Sequence, residues 1–201
     1  MTKIVSVTSL FLFMFCKILR AIMTKLHYFA YGSNLHPLRL KERASSAEVL
    51  GVVEVKAAQL TFAKRGTDQS GKCSFLRTSN LENVVHGVIY ELDACDKKPL
   101  DHAESLGFGY NQQSLNLVLH GTTYMPFTYV ADRQYVDHSL VPYQWYKQFV
   151  ILGAQFHAMP DAYVAWLASI VAIPDPDPQR NAENLARLDR MKEFSRPRKH
   201  V

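Results

Sequence analysis

The sequence predicts an α+β fold, and two patterns along the chain support this prediction. Apolar or alternating segments typical of strands occupy the first two thirds of the chain, whereas apolar residues recur at helical spacing in the last third. A run of strands followed by a run of helices is typical of α+β domains. We therefore expect a mixed, largely antiparallel sheet that closes into a small barrel, with helices packed outside it.

The first part of the chain predicts strands, with one short helix among them. Residues 26–31 are apolar and aromatic, which is typical of a buried strand. Residues 37–43 contain helix formers with Pro37 in the first turn, where proline is tolerated. Further strands are predicted at 49–64 (one long strand or two short ones), 73–78 and 84–92.

The second part of the chain turns from strands to helices. Asp93 and Asp96 are candidate N-caps for a helix that ends near residue 105. His120-Gly121 is the predicted turn of a hairpin. The remaining elements are predicted to be hairpin strands at 110–118 and 123–131 and helices at 145–156, 161–172 and 181–194.

The chain of 201 residues suits one domain with additional ends. We divide it into an apolar extension at 1–22, a domain at 23–173, and a Pro-rich linker, helix and basic tail at 174–201. Residues 4–16 have the length of a signal-peptide core but are short for a membrane span. Three interpretations of residues 1–22 stay open: a poor signal peptide, a membrane-surface anchor, and an upstream extension before a start at Met23. We favour the last, because the first predicted strand follows Met23 at once, and we expect no membrane association.

Charge and cysteine usage narrow the partners and the compartment. The formal charge of +5 divides into +3 for 1–22, −2 for 23–184 and +4 for 185–201, so the predicted body is not basic and nucleic acid is not an expected partner. Cys16, Cys73 and Cys95 show no C-x-x-C spacing, which gives no disulfide framework and no zinc motif. A cytoplasmic location is expected.

The loop that follows the first predicted strand is the first candidate site. Gly32, Ser33 and Asn34 end the strand and precede a helix, so several main-chain N–H groups can point at one spot. Such a loop suits a carboxylate or a developing oxyanion, although the same pattern is also typical of an ordinary turn. Ser33 has no nominated base, and no G-x-S-x-G motif is present.

Glu104 is the second candidate. It lies four residues after Leu100, so the two side chains share a helix face that we expect to be buried. Burial and a place in the last helical turn raise the pKa of a carboxyl group, which would allow proton transfer near neutral pH. The alternative is a solvated residue of the last turn. His102 lies on another face, so we expect no metal site there.

Both stretches resemble one family. Residues 28–35, Tyr-Phe-Ala-Tyr-Gly-Ser-Asn-Leu, resemble the signature of the gamma-glutamylcyclotransferase (AIG2-like) family. Leu100-Asp101 with Glu104 resembles the family's Leu-Asp-x-x-Glu segment, although Ser105 stands where the family often has Gly. Tyr146 falls where the family has a substrate-contacting Tyr. The resemblance covers roughly residues 26–170.

The resemblance implies an activity and the residues that serve it. Family members convert a gamma-glutamyl compound into 5-oxoproline and release the attached amine, with no cofactor or metal. Glu104 would be the catalytic acid and base. Substrate binding would fall to Tyr146 and the residues of the first motif: Tyr28, Phe29, Ala30, Tyr31, Gly32, Ser33 and Asn34.

Three questions stay open at the level of sequence. The chain could be a non-catalytic module that binds a small metabolite on the same fold. It could instead act on gamma-glutamylamines. The partner is expected to be a small gamma-glutamyl substrate, and whether the chain also forms a homodimer is not decided.

Overall fold

The computed structural model describes residues 24–195, which contain nine strands and five α-helices. The strands are β1 (Lys25–Ala30), β2 (Glu48–Lys56), β3 (Ala58–Arg65), β4 (Gly71–Arg77), β5 (Val84–Asp93), β6 (Tyr110–Ser114), β7 (Leu117–Leu119), β8 (Thr122–Tyr124) and β9 (Phe127–Ala131). The helices are α1 (Pro37–Lys41), α2 (Lys97–Ala103), α3 (Gln144–Phe156), α4 (Asp161–Ser169) and α5 (Pro178–Phe194). The α+β class predicted from the sequence is confirmed.

Five strands form the central sheet, in the order β2, β5, β1, β9, β6. β5 lies antiparallel between β1 and β2, and β6 lies antiparallel to β9. β1 and β9 are parallel, with Tyr28 opposite Phe127. The sheet is therefore mixed and largely antiparallel, as expected.

The predicted barrel was wrong, because the sheets within residues 24–195 do not close. β3 pairs with β4, and β7 pairs with β8, in two separate two-stranded sheets. The segment 49–64, predicted as one long strand or two short ones, forms two strands, because the chain breaks at Ala57, whose φ of 52° is outside the strand region. β6 ends before Leu115 and β9 begins after Pro126, so the β7–β8 hairpin between them lies outside the central sheet. Among the described strands, none joins the edge at β2 to the edge at β6.

The β7–β8 turn matches the prediction. Leu119 pairs with Thr122, which leaves His120 and Gly121 as a two-residue loop. Their φ values of 49° and 79° are both in the left-handed region that such a turn requires.

The helices pack in the last third of the chain, with α3 against both α4 and α5. The apolar stripe of α3 is buried, including Trp145 and Phe149. In the Pro-rich segment, Asp175 is buried and accepts hydrogen bonds from Trp145 Nε1 (2.8 Å) and from the Arg180 guanidinium (2.6 and 2.8 Å). α5 is thereby fixed against α3, while the proposed domain boundaries remain a prediction.

Two details of the helices differ from prediction. Neither Asp93 nor Asp96 caps a helix with its side chain. Asp96 instead accepts from the N–H (2.8 Å) and the hydroxyl (2.7 Å) of Ser46, a residue far away in sequence. α4 ends at Ser169, before the predicted residue 172.

The predictions for residues 1–22, for Met23 and for the tail beyond Ser195 lie outside the described residues. Among residues 24–195, no helix is both long and apolar enough to cross a membrane. The cytoplasmic location stays a prediction.

Candidate active site

The two sequence motifs meet at one small, partly open cavity. Ala94 donates a hydrogen bond to the Thr24 carbonyl, so the segment that leads into α2 begins beside the first residues of β1. Glu104, at the other end of α2, bonds Asn34 in the loop that follows β1. α2 therefore runs alongside β1 and brings Glu104 to the loop. The lining comprises Tyr28, Tyr31, Gly32, Ser33, Asn34, Cys73, Glu104, Tyr110, Tyr129 and Tyr146.

Gly32 is required by the close approach of another strand rather than by its own backbone angles. Its φ is not in the left-handed region. A Cβ added to Gly32 would lie 2.9 Å from Cys73 Cβ, in β4, which is closer than carbon atoms pack. The loop is closed by a hydrogen bond from Leu35 N–H to the Gly32 carbonyl (3.0 Å). Within residues 24–195, no hydrogen bond uses the Ser33 N–H, so this donor is open to a ligand.

Glu104 is held by two neighbours at the edge of the cavity. Its Oε1 accepts hydrogen bonds from Asn34 Nδ2 (2.9 Å) and from Arg43 Nη1. Arg43 also donates to Asn34 Oδ1 (2.8 Å), so the three side chains form one network. Both bonds reach the same oxygen, which leaves Oε2 for a substrate proton. The side chain of Glu104 is 15% exposed and carries a cationic partner that the sequence interpretation did not include.

The aromatic walls of the cavity are fixed by bonds to the main chain. The Tyr146 hydroxyl accepts from the Cys73 N–H (3.0 Å), and the Tyr110 hydroxyl donates to the Cys73 carbonyl (2.6 Å). The Tyr31 hydroxyl donates to the Tyr129 carbonyl. Tyr146 thus lies at the site as the sequence predicted, with its hydroxyl engaged by Cys73.

Burial keeps the other acidic side chains of the cavity protonated. Desolvation raises the pKa of Tyr31, Tyr110 and Tyr146 well above the usual value, and it raises the pKa of Cys73 to about 12. These groups are therefore neutral near pH 7. Within residues 24–195, Glu104 is the one carboxylate in the cavity lining.

Phe29 and Ala30 lie in the core and do not line the cavity, although both fall within the predicted binding motif. Both are fully buried. The Phe29 carbonyl accepts from the Thr128 hydroxyl in β9 (2.9 Å), and a Cβ on Gly87 would lie 2.4 Å from the Phe29 ring. These two residues support the strand rather than contact the space beside Glu104.

A second hollow of about 630 Å³, which we call the outer recess, adjoins the cavity. The two spaces share Ser33, Glu104, Tyr110 and Tyr146 as lining residues. The outer recess also contains four cationic side chains and one further carboxylate: Arg39, Arg43, Lys64, Lys72 and Asp68.

The sequence interpretation missed these basic residues. Arg39 and Arg43 are four residues apart in the predicted first helix, so the sequence could have predicted that both lie on one helix face. Lys64 and Lys72 lie on β3 and β4, and only the fold brings them to this place. No cluster of three or more His, Cys, Asp or Glu side chains suited to a metal is found among residues 24–195.

Comparisons with known proteins bear on the family and the fold. A model of the AIG2-like family matches residues 84–167, a range that includes Glu104 and Tyr146 but not the first motif. No curated protein matches the chain. A solved structure named "Gamma-glutamyl cyclotransferase" superposes with a TM-score of 0.70 at 21% identity, covering 85% of this chain and 99% of that one.

Two further solved structures share the fold. The uncharacterized protein loc79017 from Homo sapiens gives a TM-score of 0.70 at 21% identity, covering 82% of this chain and 98% of that chain. YkqA from Bacillus subtilis gives 0.60 at 15% identity, covering 78% of this chain and 59% of that chain. The architecture is therefore that of the gamma-glutamyl cyclotransferase fold. Together with the family match, it confirms the resemblance to the gamma-glutamylcyclotransferase-like, AIG2-like family that the motifs predicted.

Proposed function

We propose that this protein is a gamma-glutamylcyclotransferase-type enzyme that converts a gamma-glutamyl compound into 5-oxoproline and a free amine. The observation that carries the proposal is the meeting of Glu104 with the Gly32-Ser33 loop at one cavity. One side offers a proton acceptor and the other offers main-chain donors. An intramolecular acyl transfer needs both.

The first task is to bring the two ends of the glutamyl group together. The cavity walls are aromatic and their hydroxyls are held by main-chain partners, so the space has a fixed shape. A glutamyl chain folded in this space has its α-amine beside its own γ-carbonyl carbon. Well-oriented intramolecular attack is worth about 7–11 kcal/mol of the barrier.

Glu104 then handles the proton. A free α-ammonium has a pKa of about 8 and must lose a proton before its nitrogen can attack. Oε2 of Glu104 takes this proton while Asn34 and Arg43 hold Oε1. The free amine attacks the γ-carbonyl carbon and the ring C–N bond forms. Glu104 returns its proton to the leaving nitrogen as the bond to that nitrogen breaks. The ring nitrogen gives up its second proton to the released amine, which leaves as an ammonium. Acid–base help of this kind contributes about 10²–10⁴-fold.

The loop stabilises the charge that develops on the γ-carbonyl oxygen. The Ser33 N–H has no partner within residues 24–195, and Ser33 lines the cavity. One oriented donor to an oxyanion is worth about 3 kcal/mol. No step in this scheme asks for a metal or a cofactor.

The direct test is product formation. Purified protein is incubated with gamma-glutamyl amino acids, gamma-glutamylamines and glutathione, and 5-oxoproline is measured by mass spectrometry. Release of 5-oxoproline and the matching amine in equal amounts supports the proposal. Absence of 5-oxoproline from every compound, under conditions where the protein is folded, contradicts it.

The second candidate function is a non-catalytic binding module. The Arg43–Glu104 ion pair is compatible with this function. A lone carboxylate would repel an anionic metabolite, but Arg43 compensates that charge. A module would bind a gamma-glutamyl compound with a measurable heat and release no 5-oxoproline. Calorimetry beside the product assay separates the two functions.

A further inference from the structure

The outer recess carries more positive charge than its own carboxylates compensate. Arg43 pairs with Glu104, and Lys72 pairs with Asp68 Oδ2 (2.6 Å). Among the residues that the structure describes, Arg39 and Lys64 then remain without an equivalent partner in the recess. Buried cations without partners are costly, so two of them at one hollow require an explanation.

The Arg39 side chain is only 9% exposed and is incompletely satisfied. Within residues 24–195 its buried Nε has no hydrogen-bond partner. Its nearest carboxylate oxygen belongs to Glu42, 3.7 Å from Nη1, and Glu42 also serves Arg187 (2.8 Å) and Arg190 (3.4 Å). One carboxylate shared by three guanidinium groups does not neutralise Arg39. The guanidinium is instead stacked over the Phe149 ring, 4.3 Å from its centre.

Lys64 is a second buried cation that lines the recess. The residue is 5% exposed, and its ammonium lies 4.5 Å from the centre of the Tyr110 ring. Gly109 allows this position, because a Cβ there would lie 2.8 Å from the Lys64 nitrogen. No salt bridge within residues 24–195 reaches this ammonium, and burial lowers the pKa of Lys64 despite the nearby Glu104 and Asp68.

The outer recess is also where half of the substrate must lie, if the proposed function holds. The glutamyl half occupies the inner cavity beside Glu104. The bond to the leaving amine then points through the lining that the two spaces share, which includes Ser33 and Tyr110. The outer recess is open to solvent and is the larger of the two spaces, so it has room for an amino acid.

We propose that the outer recess is the subsite for the leaving amine, and that Arg39 and Lys64 select a leaving amine that carries a carboxylate. An amino acid with an acidic side chain, which carries two carboxylates, should be preferred most. This inference rests on the proposed function. It separates gamma-glutamyl amino acids with acidic side chains from gamma-glutamylamines, because an uncharged amine would leave both cations unpaired. Arg39 and Lys64 are specificity residues here and take no part in proton transfer.

The first experiment changes one charge at a time at constant shape. kcat/KM is measured for gamma-glutamyl-aspartate against gamma-glutamyl-asparagine, and for gamma-glutamyl-alanine against gamma-glutamyl-alaninamide. We expect the more negative member of each pair to be favoured about tenfold to a hundredfold, the range of one charge-assisted hydrogen bond. Equal kcat/KM values within both pairs, with 5-oxoproline formed, would refute the inference and leave the proposed function intact.

The second experiment assigns the effect to residues. Lys64→Gln and Arg39→Gln should lower kcat/KM for gamma-glutamyl-aspartate about tenfold or more and leave gamma-glutamyl-alaninamide nearly unchanged. Lys64→Arg should retain most of the preference. The controls are Arg65→Gln, the neighbouring residue whose partner is Asp137, and Lys41→Gln, an exposed cation of α1 paired with Glu48.

A binding measurement separates this inference from the proposed function. Titration calorimetry with L-aspartate and with L-asparagine measures ligand binding at the recess without any turnover. Tighter binding of aspartate that Lys64→Gln abolishes would support an anion subsite even in a protein that releases no 5-oxoproline. Equal binding of the two ligands to a folded wild-type protein would contradict it. If Arg39→Gln does not fold, the substrate pairs and Lys64→Gln still decide the question.

Discussion

Replacing Glu104 with Gln removes the proton acceptor while keeping the size of the side chain. The Gln amide oxygen can take the place of Oε1 and accept from both Asn34 Nδ2 and Arg43 Nη1. The substituted nitrogen then falls where Oε2 faces the cavity. The variant therefore tests proton transfer and leaves the rest of the cavity in place.

The expected loss of kcat can be worked out from the catalytic contributions that Glu104→Gln leaves in place. The Ser33 donor and the tyrosine walls are untouched, so orientation and oxyanion stabilisation persist. Loss of the acid–base contribution alone lowers kcat by about 10²–10⁴-fold, or about 2.7–5.5 kcal/mol of transition-state free energy. Arg43 loses a charged partner, but both side chains are partly exposed (19% and 15%) and a neutral hydrogen bond remains. The free energy of unfolding should fall by about 1–3 kcal/mol, less than for a fully buried pair.

The assay compares 5-oxoproline release by Glu104→Gln and wild type over a range of substrate concentrations. Thermal denaturation checks that the variant is folded. Glu91→Gln is the matched control, because Glu91 on β5 is also ion-paired, with Lys25, and does not line the cavity. Turnover by Glu104→Gln equal to that of Glu91→Gln would refute the role of Glu104 as acid and base.

Three further predictions concern the support of the site. Gly32→Val should raise KM strongly, because the new Cβ would lie 2.9 Å from Cys73 Cβ; an unchanged KM would argue against substrate binding at this loop. Tyr146→Phe leaves the buried Cys73 N–H without its acceptor and should lower the free energy of unfolding by about 1–3 kcal/mol, as measured by denaturant titration. The Arg180 bonds hold the pKa of Asp175 down at about 2, below its usual value of about 4, so the ionised form stabilises the fold at higher pH. This stabilisation should be lost as the pH falls from about 4 towards 2, and Asp175→Asn should show a flatter loss of stability in that window.

Local signals in the sequence were enough for most of the elements. The His120-Gly121 turn follows from its turn residues and the apolar stripe of α3 from helical spacing, and the structure confirms both. The predicted hairpin strands at 110–118 and 123–131 are each divided in two in the structure. The roles of the first motif and Glu104 stay a proposal, and both were nominated by local patterns together with the family resemblance. Their meeting was an expectation from the family resemblance, and the run of α2 alongside β1 provides it.

The errors arose where a distant residue decides the local structure. Alternation continues through Ala57, so the sequence could not show that β3 leaves the sheet to pair with β4. Asp96 has the composition of an N-cap, yet Ser46 takes its carboxylate. Phe29 alternates with cavity residues within one motif, and only the position of β9 decides that it is core.

The same reasoning explains why the basic residues of the outer recess are visible only in the fold. Arg39 and Lys64 lie on α1 and β3, far apart in sequence, and each alone is typical of a solvated surface residue. What distinguishes them is burial without an equal negative charge, and burial depends on Phe149 and Tyr110 from other elements. A sequence fixes which residues can carry charge, but the unpaired state that draws a ligand is a property of the assembled site. The leaving-amine preference is therefore a question that the fold raises and that the paired substrates answer.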